Sequence, residues 1–178
     1  MNYAGKKKSK EKELKDIYIN FRMPIGKITE EYIVSILNKI EEIQFQSVIY
    51  KAREQELDEI AHLYHRSWLT SNIPFRKITL DDFQRIYNDP HIEFLVAKLH
   101  GIYVGFVILA LEGDEQEYGA IVALGIKPRY QRRGIGTALG YAAWNHFKHK
   151  NVKELRCEVH VRNERSLNFI KSLGFEEF

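Results

Sequence analysis

Residues 129–139 read Arg-Tyr-Gln-Arg-Arg-Gly-Ile-Gly-Thr-Ala-Leu. Two arginines stand directly before two glycines, between an apolar run and the start of a helical pattern. A helix N-terminus carries unpaired backbone N–H groups and the positive end of the helix dipole. Glycines at 134 and 136 let the backbone close on a bulky anion and turn those N–H groups toward it. Arg132 and Arg133 add charge at the rim, so the chemistry is anion capture, and the device suits a pyrophosphate. No Lys-Ser/Thr pair follows the second glycine, so this is not the nucleotide P-loop, and magnesium-dependent phosphoryl transfer has no support. The glycine spacing also differs from the dinucleotide-binding fingerprint.

Such a loop works only if a strand delivers it and a helix leaves it. Ala120–Pro128 is apolar on both faces, as an interior strand is. A helix is expected from about Gly134 to Lys148. Upstream, residues 47–53 read as a strand and 56–68 as a helix. Thr79-Leu-Asp-Asp opens a second helix to about Asn88. Residues 91–101 and 103–113 read as two strands around a tight turn at His100-Gly101. Downstream, residues 153–162 alternate, with Leu155, Cys157, Val159 and Val161 on one face and Arg156, Glu158, His160 and Arg162 on the other. A last helix over about 164–172 ends at Gly174, a fitting C-cap. The expected fold is α+β, built on a mixed, largely antiparallel sheet flanked by helices. It occupies 47–178, behind a 1–46 extension of basic tail, short strand and helix. In that extension, residues 17–23 form a short strand stopped by Pro24. Thr29 caps a helix to about Gln46, with Ile33, Ile36, Leu37, Ile40 and Ile43 as one apolar stripe.

The charge distribution narrows the function. Residues 1–16 hold six lysines against Glu11, Glu13 and Asp16, an excess equal to the whole chain's +3. The body is therefore formally neutral, whereas a nucleic-acid binder carries its basic face on the folded part. The tail is expected to be a mobile, solvated arm. No run of about 18 apolar residues occurs, so no membrane span is expected, and no signal peptide is evident. The single Cys157 forms no internal disulfide and falls on an apolar strand face; a reducing cytoplasm fits it. His62/His65 and His146/His149 each share a helix face, but a metal site needs three or four converging ligands, and none is expected.

Gln131-Arg-Arg-Gly-Ile-Gly resembles the Q/R-x-x-G-x-G/A motif of the GCN5-related N-acetyltransferase (GNAT) superfamily, and Ala123–Leu139 looks like that family's strand, loop and helix. Residues 158–177, EVHVRNERSLNFIKSLGFEE, resemble its E-V-x-x-x-N-x-x-A/S-x-x-x-Y-x-x-x-GF segment. The likeness spans roughly three-quarters of the chain and leaves out 1–46. It implies an N-acetyltransferase that uses acetyl-CoA as co-substrate. Amides from Arg132 through Arg133, Gly134, Ile135, Gly136 and Thr137, with Gln131, would hold the pyrophosphate. Backbone groups of Leu124 and Ile126 would pair with the pantetheine arm beside a splay between two strands. Asn163 would face the pantetheine, cap the last helix, or both.

Acetyl transfer needs a neutral amine, a polarised thioester carbonyl and a thiolate that can leave. Three residues are candidate bases. Glu158 matches an acidic position of the family's penultimate strand motif, His160 lies two residues along the same face, and Tyr118 begins the central strand. Glu158 and His160 equally suit a solvated face with charge pairs to Arg156 and Arg162. Some family members keep a glutamate on the central strand, where this chain has Ala120. Many keep a tyrosine near the thiolate, where this chain has Ile170. The family usually continues past Phe178 into a final hairpin, and residues 17–23 are a conceivable replacement. The acceptor is an amine, on a small molecule or on a protein N-terminus or lysine, with Tyr64, Trp68 and Phe75 as an apolar wall or as core. The rival reading is a CoA-binding regulatory module with little catalysis. Nucleic-acid binding through the tail is a weaker third. A homodimer remains open.

Overall fold

The computed structural model describes residues 18–42, 47–69 and 77–178. The lysine tail, Ile43 to Gln46, and Pro74 and Phe75 lie outside them.

One seven-stranded sheet runs through the molecule in the order β2-β3-β4-β5-β6-β1-β7. Its strands are β1 (Tyr18–Pro24), β2 (Ser47–Lys51), β3 (Ile92–Leu99), β4 (Ile102–Glu112), β5 (Tyr118–Ile126), β6 (Glu154–His160) and the short β7 (Glu176–Glu177). Every pairing is antiparallel except β5–β6. The helices are α1 (Glu30–Glu42), α2 (Leu57–Trp68), α3 (Leu80–Tyr87), α4 (Ile135–Phe147) and α5 (Glu164–Ser172).

Local chemistry sets these boundaries. Leu99 pairs with Ile102 across a two-residue turn in which His100 and Gly101 both have positive φ, the requirement of a type I′ hairpin. Thr79 and Asp82 form a reciprocal capping box at the start of α3. Thr29 Oγ1 accepts the Tyr32 N–H at the start of α1. Helix α5 begins at its Asn163 cap, and Gly174 follows its end at φ 85°.

Each sheet face has its own core. One face packs α1, α4 and α5 over Leu95, Val107, Leu109, Ile121, Leu155 and Cys157. The other packs α2 and α3 over Phe94, Val96, Phe106 and Ile108. On this second face the two helices cover the β2–β4 side, and their core reaches Ala123 of β5.

Residues 18–42 are built into this frame. Strand β1 lies between β6 and β7 and pairs with β6 from Tyr18↔His160 to Pro24↔Glu154. Phe21 and Met23 are buried in the first core, with Ile36 of α1 beside them. The Tyr32 hydroxyl donates to the Leu173 carbonyl at 2.8 Å, tying α1 to the end of α5. The strand expected over 17–23 is thus present as Tyr18–Pro24, between β6 and β7.

Candidate active site

The central strand changes partners partway along. Strand β5 pairs with β6 from Tyr118↔Glu154 to Ile121↔Cys157 and no further, yet its ladder with β4 continues to Ile126. The register on β4 slips between Ile108↔Ala123 and Leu109↔Ile121, so Val122 is an extra residue on β5 and is exposed. A bulge of this kind bends the strand and sharpens its twist. The bend falls where the β6 pairing stops, so β5 and β6 splay from Val122 onward. Leu124 and Ile126 lie on the splayed half of β5, both half-buried.

The arginine–glycine loop follows directly. A short turn over Pro128–Tyr130 leads to Arg132 at φ 60° and Gly134 at φ 72°, the latter being the N-cap of α4. Among the described residues, the N–H groups of Arg132, Arg133, Gly134, Ile135, Gly136 and Thr137 meet no protein acceptor; the first intrahelical bond is Ala138 N–H to Gly134 O. Arg132 and Arg133 are exposed, while Ile135 and Gly136 are buried. Gly136 is needed for close approach as well: a Cβ there would stand 3.1 Å from Phe169 Cζ of α5 and 3.3 Å from Ile126 Cδ1. Gln131 braces the loop by donating from Nε2 to the Ile126 carbonyl at 3.1 Å. Tyr130 lies beneath the guanidiniums of Arg129 and Arg133, at 4.8 and 5.8 Å. A run of unpaired amides with cations at its rim can hold an anion, so the chain's own residues fit a pyrophosphate.

The candidate bases do not form one cluster. Glu158 is exposed and is the first residue of β6 beyond the β5 pairing, opposite Asn20 of β1. Tyr118 sits in register with Glu154, four residues back along β6, or about 13 Å by strand rise. Its ring is covered by the Arg156 guanidinium at 3.3 Å. His160 is buried at 4% exposure, and its ring meets Tyr18 edge-on with centroids 5.2 Å apart. Its Nδ1 accepts the Arg162 N–H at 3.1 Å. Burial, and then the nearby Arg162 charge, lowers its pKa and keeps the ring neutral.

Three expectations, for Arg156, His160 and Val161, need correction. Arg156 pairs with Glu154, at 2.6 Å, and not with Glu158. His160 does not stand on a solvated face, because β1 covers it. Val161 is 45% exposed, because β6 ends at His160 and the chain turns there. Asn163 caps α5, its Oδ1 accepting the Ser166 N–H. Ala120 and Ile170 are both buried. Cys157 is buried, and desolvation, with Glu158 adding to it, pushes its thiol up to about 12.

Tyr64 is core: its ring packs on Phe83, Phe106 and Trp68. Trp68 is half-buried at the end of α2. His62 lies beside Asp58, and His65 Nε2 is within 3.0 Å of the Ile78 carbonyl. Among the described residues no three metal-ligating side chains converge. No helix among them is long and apolar enough to cross a membrane.

Sequence reasoning missed a polar network. Glu56 is 3% exposed and accepts the hydroxyls of Tyr50 at 2.6 Å and Tyr103 at 2.7 Å, the Arg53 N–H at 2.9 Å and Lys98 Nζ at 3.2 Å. Burial alone would push this carboxyl up, but the hydrogen bonds outweigh it and hold it well below the ordinary range. Its members come from β2, β3, β4 and the start of α2, with no shared spacing to mark them.

The acetyltransferase (GNAT) family model matches residues 57–175. An N-alpha-acetyltransferase of Sulfurisphaera tokodaii is 30% identical over 139 residues, which cover 72% of this chain and 80% of that one. A spermidine N(1)-acetyltransferase of Thermoplasma acidophilum is 28% identical over 113 residues, 64% of this chain and 68% of its own. Among solved structures, a PaiA N-acetyltransferase from Thermoplasma acidophilum in complex with coenzyme A superposes with a TM-score of 0.64 at 22% identity, over 72% of this chain and 88% of that one.

Proposed function

Because the chain belongs to the acetyltransferase (GNAT) family and is an N-acetyltransferase, we propose that it moves an acetyl group from acetyl-CoA directly to the α-amine of a protein or peptide. The observation that carries the co-substrate is the run of unpaired amides from Arg132 to Thr137 beside the β5–β6 splay. In this reading those amides hold the pyrophosphate, with Gly134 and Gly136 admitting it. Backbone groups of Leu124 and Ile126 receive the pantetheine arm along the splayed edge. The thioester then lies near the bulge at Val122, with Glu158 on the neighbouring strand.

The amine nitrogen attacks the thioester carbonyl, the C–S bond breaks, and the sulfur leaves as thiolate. The proton lost by the amine passes to Glu158 through water, since an exposed carboxylate reaches it best that way. A backbone N–H of β5 offers the hydrogen bond that the developing oxyanion needs. Ile170, being apolar, leaves the thiolate to take its proton from water, while Glu158 returns the amine's proton to solvent, so one proton is lost and one gained. An α-amine with pKa near 8 needs less help than a lysine near 10.4, which suits a site with one exposed carboxylate. The resemblance to an N-alpha-acetyltransferase supports the same acceptor.

Thiol release from acetyl-CoA is the test, with matched peptides carrying either a free N-terminus or a blocked N-terminus and a free lysine, and spermidine as a third acceptor. The free N-terminus should give the highest kcat/KM. A higher value for the blocked peptide or for spermidine overturns the acceptor assignment. Gly136→Glu, which sets bulk and negative charge in the cradle, should abolish acetyl-CoA binding; unchanged affinity by calorimetry overturns the cofactor site.

A further inference from the structure

The turn between β6 and α5 is tied together by one residue, His160, through its main chain and through a side chain that the reaction does not use. His160 closes it twice: its Nδ1 accepts the Arg162 N–H at 3.1 Å, and its carbonyl accepts the Asn163 N–H at 2.8 Å. Asn163 in turn caps α5 through Ser166 N–H. Helix α5 then seats Phe169 against Gly136, where an added Cβ would stand 3.1 Å from the ring and press on it. A contiguous path therefore runs from His160 through the Asn163 cap and Phe169 to the loop that holds the unpaired amides. Tyr18 of β1, directly opposite in register, packs its ring on the imidazole and shields it.

We propose that His160 is a positioning residue for the cofactor loop, and that Tyr18, from the strand outside the 57–175 family match, holds it in that role. The proposal rests on the acetyl-CoA reading above. Its physical content is the Nδ1 lone pair. A neutral ring with its proton on Nε2 accepts the Arg162 amide; a protonated ring presents an N–H to an N–H and loses that bond. Burial, followed by Arg162, already lowers this pKa, so the acceptor form prevails at neutral pH. Among the described residues, the charged or titratable groups facing the ring are Tyr18 from β1 and Arg162 from the turn, with Glu158 next along the same face of β6.

Two substitutions separate the lone pair from the ring. His160→Phe keeps an aromatic against Tyr18 and removes the acceptor. His160→Asn removes the ring but can place its Oδ1 to accept the N–H two residues on, as in an Asx turn. Calorimetry with CoA should show affinity weakened about tenfold or more in His160→Phe and largely restored in His160→Asn. In turnover assays the loss should fall on KM for acetyl-CoA. Between pH 7.5 and 5 the parent should lose affinity more steeply than His160→Asn, a comparison in which the titration of the CoA phosphates cancels. If His160→Phe does not fold, this pH comparison decides alone, and parallel profiles overturn the proposal. A parent that binds CoA while His160→Phe matches it, or while His160→Asn is no better than His160→Phe, overturns the proposal and leaves the function standing. A parent that binds no CoA overturns both.

Discussion

Arg22 of β1 and Arg156 of β6 stand directly opposite each other on one sheet face, and the Phe178 ring lies under both guanidiniums, at 5.2 and 5.4 Å. Like charges in direct cross-strand register are destabilising. Here Glu154 neutralises Arg156, whose other side stacks on Tyr118 at 3.3 Å. Glu176 of β7, in register with Arg22, offsets part of its charge, and the aromatic ring adds to this. Each such contact contributes about 0.5–1 kcal/mol at an exposed site. Phe178→Ala should therefore lower stability by about 1–2 kcal/mol in urea denaturation. The loss should shrink at high salt, which screens the attraction between the exposed guanidiniums and the ring. A salt-independent loss would assign the effect to packing alone.

Glu158 is the first β6 residue beyond the paired region and is exposed there. If it takes the amine proton through water, Glu158→Gln should lower kcat roughly 100-fold and leave acetyl-CoA affinity nearly intact. Steady-state rates across pH, with calorimetry on the same variant, check both halves. A rate within about twofold of the parent at every pH removes Glu158 from the mechanism.

The Glu56 network makes a pH prediction of fixed sign. Its carboxyl is held below the unfolded value by hydrogen bonds that outweigh its burial. A depressed carboxyl stabilises the fold above the ordinary carboxylate range, and that contribution is lost as pH falls below about 4.5. Glu56→Gln removes the charge that Lys98 and both hydroxyls face, at a cost of roughly 3–5 kcal/mol near neutrality. Its stability should then vary less than the parent's between pH 5 and 3. Equal slopes in denaturant titrations across that range would show that Glu56 does not carry the acid sensitivity.

The loop at 129–139 was legible because its signal is local: two glycines, two arginines and a following helix declare an N-terminal amide cradle without tertiary information. The hairpin at His100-Gly101 and the capping box at Thr79 are local in the same way. The sequence was silent where distant segments meet. Nothing in Tyr18–Pro24 names β6 as its partner, so the burial of His160 under Tyr18 was invisible, and strict alternation put the imidazole in solvent. The bulge at Val122 was likewise hidden, because a register shift exists only once β4 and β5 are paired. Glu158, Tyr118 and His160 stand close in a list of candidates, yet strand register sets Tyr118 about 13 Å from Glu158.

The place of β1 between β6 and β7 also has a consequence for how the molecule comes to exist. Tyr18 finds its partner only after His160 has been made. At a synthesis rate of about 5–20 residues per second, that is a wait of roughly 7 to 30 seconds. Throughout it, Phe21 and Met23, which end in the core, have no sheet to join. The hairpin of β3 and β4 can form meanwhile from contacts close in sequence. Capture of β1 by β6 thus waits until the helices and strands between them have been synthesised. A nascent chain halted before β6 emerges should leave the β1 segment open to protease, and one released past β7 should protect it.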